Sequence, residues 1–378
     1  MISKNLMQLA KSVYRYARIP FSKAPSRYYV LGLSPWKDFI NYWLPDRPIV
    51  RRDKAISRFS FYTSLAPWML AEKAPEVYVW GYKYPAFVER FCRSRKIPFI
   101  RIEDGFLRSV ALGATKAPPI SLCFDRSSIY FDATQASDLE RLLETYDFAA
   151  DSQLLQRARA GIDKLVNSRL SKYNTSSDID IETIYGPKDR KRVLVVGQVE
   201  GDASIRKGCN RQIDNNELVT IAARENPDAQ IIYKPHPEVL HGTRQNQSDP
   251  RAVRHLALVL EQDITLADTF KTIDHVYTIT SLSGFEALIR GIRVTCIGMP
   301  FYAGWGATDD RQECNRRTAR RSVEEIFAAA YILYPRYFDT ILRKEITFEE
   351  ALDLLAWMKT KATAQSEDLP GNLYMLQQ

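Results

Sequence analysis

The stretch "RVLVVGQVEGDASI", residues 192–205, decides the fold. Val193, Leu194, Val195 and Val196 form a short unbroken apolar run, the pattern of a strand covered on both faces of a parallel sheet. Directly behind it come Gln198, Glu200 and Asp202, with Gly197 and Gly201 loosening the backbone. Ligands of open α/β sheets bind beyond the carboxyl ends of the strands. A buried strand that opens into a carboxylate-rich loop therefore marks a candidate site.

Working outward, the alternation continues on the C-terminal side. Residues 215–227 read as a helix, 229–238 as a strand and loop, and 265–273 as a short helix. Residues 275–281 read as a strand, 283–291 as a helix and 293–298 as a strand. On the N-terminal side, 28–37, 77–82, 98–109 and 127–133 read as strands. Helices are expected over 85–96 and 136–165. Strands alternating with helices predict parallel sheets. The polar, turn-rich stretch 174–191 reads as a boundary between two α/β units with a cleft between them. Further helices are expected near 322–334 and 347–363.

The chain has 378 residues, with 45% hydrophobic and 26% charged content. That is the composition of an ordinary globular protein. No window approaches the roughly 18–20 apolar residues of a membrane span. Lys4, Lys11, Arg15 and Arg18 interrupt any secretory core near the start. Five scattered cysteines without CxxC spacing fit a reducing cytoplasm and argue against a zinc site. The net charge of +8 points to an anionic partner. No nucleic-acid-binding motif accompanies it. Seven of the first 37 residues are basic, and the first acid is Asp38. Ile2, Leu6, Leu9, Ala10, Val13 and Ala17 share one helical face, and Lys4, Lys11, Arg15 and Arg18 another. Such a segment lies on an anionic membrane or docks on its own domain.

Four further motifs follow strand ends. In "TSLSGFEALIRG", Ser281 and Ser283 precede a helix, Gly284 permits close approach and Glu286 can meet ribose hydroxyls. The arrangement suits an anion at a helix N-terminus, and equally a plain N-cap. "YKPHPE" holds Lys234 and His236 between stiffening prolines, either for a phosphate or as an exposed turn. "RIEDGFLRS" supplies Glu103 and Asp104, then Arg108 and Ser109, as acid/base machinery or an ion-pair cluster. "PFYAGWG", with Tyr302, either covers a base or sugar or packs as a loop. "DID" (178–180) follows no strand and reads as polar linker. Together these motifs fit cleavage of a glycosyl–phosphate bond.

"IEDGFLRSVALG", "PPISLCFDRSSIYFDA", "SKYN", "GQVEGDASI", "YKPHPE", "TSLSGFEALIRG" and "PFYAGWGATDDR" together resemble the capsule-polysaccharide β-Kdo transferases, the KpsC-like family. The likeness runs from about Leu31 to Arg336 and corresponds to a single module. It implies an α/β fold of two Rossmann-like domains in the GT-B manner. Residues 26–185 would be the acceptor side and 190–340 the donor side. A basic segment would occupy 1–25, and C-terminal helices over 341–378 would pack back on the first domain. It also implies a retaining transferase that uses CMP-β-Kdo and no metal, with Asp202 as nucleophile. Glu103 and Asp104 match the family's acidic pair, His236 its His-Pro motif, and Ser281, Ser283 and Glu286 its phosphate-binding motif. Glu200 would orient or assist. Gln198, Arg108, Ser109, Lys234, Gly284 and Tyr302, with Arg206, complete the expected donor surroundings. The cysteine pattern suits a cytoplasmic setting and the basic N-terminal helix either an inner membrane face or its own domain, and the resemblance implies a lipid-linked or Kdo-terminated glycan as acceptor. The first 25 residues have no counterpart in the resemblance. A non-catalytic polysaccharide- or lipid-binding factor, or a transferase for another CMP-activated ulosonic acid, are the competing readings.

Overall fold

The computed structural model describes residues 2–18, 25–109, 117–170, 180–240, 248–262 and 264–367. "SKYN" (171–174), "VALG" (110–113) and most of "DID" lie outside the described residues.

Two sheets form the scaffold of this mixed α/β chain. The first begins with β1 (Tyr28–Leu31), β2 (Ile49–Arg52), β3 (Glu76–Trp80), β4 (Phe99–Asp104) and β5 (Ser121–Asp125). The second holds β6 (Arg192–Val196), β7 (Gln230–Lys234), β8 (Leu258–Val259), β9 (His275–Thr278), β10 (Arg293–Cys296) and β11 (Asp309–Asp310). The chain then returns to the first sheet with β12 (Pro335–Asp339) and β13 (Lys344–Ile346).

The second sheet runs β8-β7-β6-β9-β10-β11 and is parallel throughout. This is the doubly wound order, in which the chain reverses direction across the sheet between β6 and β9. All five residues of β6 are buried, because helices cover both faces. The first sheet runs β2-β1-β3-β4-β5-β12-β13. Its β1, β2, β3 and β4 are parallel, with a reversal between β1 and β3, and the remaining pairings are antiparallel.

Several expectations are corrected. Residues 127–133 are a loop, and the strand lies earlier, at Ser121–Asp125. The Asp125 carboxylate accepts from the backbone N–H groups of Ser127 and Ser128 at 2.8 Å and of Asp138 at 2.9 Å, turning the chain back on itself. The segment 136–165 is two helices, Asp138–Thr145 and Ser152–Asn167. Asp147 and Asp151 accept from Ala150 and Leu154 N–H, and those local bonds start new turns. The chain packs back on the first sheet not only through the helix Phe348–Glu367 but through β12 and β13. Residues 335–339 therefore pair with β5, although the sequence grouped them with the second unit.

One apolar core joins the halves. It contains Phe106, Leu139 and Phe148 from the first half, Leu194, Phe285 and Phe301 from the second, and Tyr331 and Phe348 from the returning segment. Phe106 sits 4.7 Å from Phe301 and 5.4 Å from Tyr331, ring centre to ring centre. Such contacts are those of a protein interior.

Candidate active site

The first wall is built at the ends of β3 and β4. Side chains alternate along a strand, so Glu103 and Asp104 leave β4 on opposite faces. Asp104 Oδ2 accepts from Arg108 Nε at 2.8 Å, and Arg108 also donates to Ser109 Oγ at 3.0 Å. Arg108 and Ser109 are buried, so Arg108 balances a protein carboxylate in place of the expected donor charge. Asp104 Oδ1 is buried without a hydrogen-bond partner among the described residues. Glu103 Oε1 accepts from the Asp104 N–H at 3.2 Å. Its other oxygen lies 3.2 Å from where a Cβ of residue 81 would stand, so a glycine at φ +50° suits that close approach.

Sequence reasoning missed Lys37. It is buried, with its ammonium over the Trp80 ring. Burial pulls its pKa down to about 7, against the attraction of Asp104 and Glu103. Its signal was position: "LGLSPWK" follows a strand end as the recognised motifs do. A cavity of about 850 Å³ is lined by Gly32, Arg51, Arg52, Asp53, Lys54 and Lys83 among others. It lies at the carboxyl ends of β1 and β2, next to the first sheet's reversal point.

The second wall lies at the β6/β9 reversal. Asp202 is exposed and caps the helix Ala203–Gly208, its Oδ1 accepting from Ser204 N–H at 2.7 Å. Ser281 caps the helix Leu282–Leu288, and its Oγ lies 3.1 Å from Ser283 Oγ. Both serines are half-buried. His236 Nδ1 accepts from Glu238 N–H at 3.2 Å, fixing the ring at the start of Pro237–Leu240.

Other expected ligand-facing groups turn inward. Gln198 is buried and spans the reversal point: its amide donates to Thr280 Oγ1 at 3.1 Å and accepts from Thr280 N–H at 2.7 Å. Glu200 is buried, accepting from Asn215 N–H at 2.9 Å, from Ser248 N–H at 3.0 Å and from the Ser248 hydroxyl. These bonds hold the loop that carries Asp202. Lys234 is buried and donates to the Ile264 carbonyl at 2.5 Å. The space at Gly284 is taken by Tyr302, whose hydroxyl donates to the Ser281 carbonyl. Tyr302 itself is fully buried, so "PFYAGWG" is a packed loop and not a cover. Glu286 is buried near Tyr331, whose hydroxyl pKa is raised by burial and by that carboxylate. Arg206 donates to the Gly201 carbonyl.

The two walls meet through residues the sequence did not single out. Lys207 lies 3.3 Å from Asp132, which also accepts from the Tyr82 hydroxyl. Ala133 N–H donates to the Lys207 carbonyl at 3.2 Å. Burial would raise the Asp132 pKa, but hydrogen bonds from Thr134 and Tyr82 and the Lys207 charge hold it below the usual range. At about 1.5 Å per helical residue, Asp202 stands roughly 8 Å along the helix from this bridge. Tyr82 adjoins Gly81, on which Glu103 rests. Glu103 and Asp104 thus lie at the end of β4, and Asp202, His236, Ser281 and Ser283 beyond the ends of β6, β7 and β9.

Fold and site define a two-sheet α/β protein that gathers acids, hydroxyls and a histidine at the carboxyl ends of its parallel strands. Residues 76–337 match the family model described as capsule polysaccharide biosynthesis protein. The lipopolysaccharide-processing protein LpsZ of Rhizobium meliloti is 42% identical over 336 residues, 87% of this chain and 74% of LpsZ. The capsule polysaccharide modification protein LipA of Neisseria meningitidis serogroup B is 37% identical over 332 residues, 88% of this chain. The chain spans 46% of the length of LipA. The solved "KpsC, beta Kdo 2,4 transferase" of Thermosulfurimonas dismutans matches with a TM-score of 0.73 at 33% identity, covering 86% of this chain and 97% of that one. The "beta Kdo 2,7 transferase" of the same organism matches with a TM-score of 0.69 at 32% identity, covering 88% and 99%. This chain belongs to the KpsC-like family of capsule polysaccharide biosynthesis proteins.

Proposed function

We propose that the protein is a retaining β-Kdo glycosyltransferase, built of two Rossmann-like domains in the GT-B manner. It moves Kdo from CMP-β-Kdo to a glycan or lipid-linked acceptor in surface polysaccharide biosynthesis, in the cytoplasm. The observation that carries this reading is Asp202: an exposed carboxylate beside the reversal point of a doubly wound sheet, on a loop tied down by Glu200. Similarity to two solved Kdo transferases supports the sugar.

Cleaving the bond between the Kdo anomeric carbon and the CMP phosphate leaves oxocarbenium character on that carbon. In this reading an Asp202 oxygen bonds to it from the opposite face, and the phosphate keeps the bonding electron pair. The acceptor hydroxyl then attacks from the vacated side, the Asp202 ester bond breaks, and two inversions leave retained configuration. Ser281, Ser283 and His236 meet the leaving phosphate. Glu103 or Asp104 takes the acceptor proton. Of the two, Asp104 is engaged by Arg108 Nε at 2.8 Å. The cavity lined by Arg52, Lys54 and Lys83 receives the acceptor, these cations matching an acidic sugar or lipid phosphate, while Arg51 is paired with Asp38 and with the lining Asp53. No metal is assigned to transfer, so turnover should persist in a chelator.

The decisive experiment incubates the protein with CMP-Kdo and a panel of lipid-linked and Kdo-terminated acceptors. Asp202→Asn keeps a side-chain oxygen for the helix cap, so it should fold normally yet lose transfer by about three orders of magnitude. Intact-mass analysis should find one Kdo on the wild type or a trapped variant. Normal turnover by Asp202→Asn ends the nucleophile assignment.

A further inference from the structure

A helix on a globular domain ordinarily buries its apolar stripe. The helix Ile2–Arg18 reverses that rule over its described side chains. Its contacts with the first domain are polar. Gln8 Nε2 donates to Thr63 Oγ1 at 2.8 Å, and the Tyr16 hydroxyl donates to the Tyr62 carbonyl at 2.9 Å. Ser12 is buried between them, and the Arg15 guanidinium lies 5.0 Å over the Trp68 ring. The apolar side chains face away: Met7, Val13 and Tyr14 are 60%, 62% and 62% exposed, and Leu9 is 45% exposed.

Helical geometry explains the arrangement. At about 100° per residue, Gln8, Ser12 and Tyr16 share the inner face. Ala10, Val13, Tyr14 and Ala17 fan across the outer one, Leu9 flanks the edge beside Tyr16, and Lys11 and Arg15 run along the opposite border. Phe59, Tyr62 and Trp68, on the segment under the helix, add partly exposed aromatic surface beside it. An exposed patch of this kind marks an interaction site.

The border row selects the occupant. No acidic residue precedes Asp38, so a second copy of the same face would set Lys11 and Arg15 against like charges. An anionic bilayer offers the complement, with phosphates for the basic row and an acyl boundary for the apolar fan. Tyrosine and tryptophan favour that interface. We propose that the helix Ile2–Arg18 docks the protein flat on an anionic lipid surface, with Met7, Leu9, Val13 and Tyr14 entering the headgroup boundary. This docking does not depend on the transfer reaction.

The test is vesicle flotation of the full chain at low ionic strength. Vesicles of equal parts phosphatidylcholine and phosphatidylglycerol should bind it at least about tenfold more tightly than phosphatidylcholine alone. The double substitution Met7→Ser and Val13→Ser, and separately Lys11→Glu, should each weaken binding by about tenfold while leaving the thermal midpoint unchanged. Equal binding to the two vesicles, or full retention by the double variant, overturns the proposal. So does light scattering that finds a dimer which the double variant converts to monomer, since the face then belongs to a second copy.

Discussion

Lys37 is a cation held where a cation is costly. Burial lowers its pKa from the ordinary 10.5 to about 7. Between those values the unfolded chain binds a proton that the folded chain does not. Stability should therefore rise with pH from about 7 to about 10.5, by up to about 1 kcal/mol per pH unit. Lys37→Met should flatten that rise, read as denaturation midpoints across the window. An unchanged slope in the variant would place the lysine in solvent. The neighbouring acids show the same dependence on surroundings. Glu103 and Asp104 adjoin in sequence, yet strand alternation sends them to different faces, where one meets Arg108 and the other Gly81.

At the scale of elements, the helix Leu282–Leu288 shows what a motif glycine does once the chain is folded. The missing Cβ of Gly284 makes room for Tyr302, whose hydroxyl bonds the Ser281 carbonyl. Gly284→Ala should cost about 1–3 kcal/mol by overpacking. In a Tyr302→Phe background the obstructing hydroxyl is gone, so the cost of the alanine should shrink by half or more. Strictly additive effects in that double-mutant cycle would show that the two residues do not compete for the same space. The same logic separates the legible strands from the illegible ones. β6, β7 and β9 are apolar runs covered on both faces, and their pattern shows without knowledge of a partner. β8 and β11 have two residues each, too few for any periodicity. Residues 127–133 have the composition of a strand, but Asp125 gathers three backbone N–H groups and turns the chain first.

At the scale of the molecule, the halves are locked by charge as well as by the shared core. Glu140 of the first half accepts from Arg316 at 2.7 Å and from Arg317 at 3.1 Å. Glu140 and Arg317 are both buried, and Arg317 also donates to the Pro300 and Ala303 carbonyls at 2.6 Å. Glu140→Ala strands a buried guanidinium and should cost on the order of 3 kcal/mol. Because one core runs through both halves, calorimetry should show a single transition that shifts down without splitting. Two resolved transitions in the wild type would contradict a common core.

The sequence by itself determined the alternation of strands and helices, the strand ends that carry the motifs, and the family. These are local matters: an apolar run, a cap and a glycine act on their own neighbours, and a motif is read in order. Tertiary structure alone decided which motif residues turn inward. Gln198, Glu200 and Lys234 look like ligand groups in one dimension, but Thr280, Ser248 and Ile264 engage them across gaps of 82, 48 and 30 residues. It also decided that β12 closes the first sheet beside β5 and that Lys37 stands over Trp80. A hydrogen bond or a buried charge depends on distance in space, and spacing along the chain does not encode that distance until the core has formed.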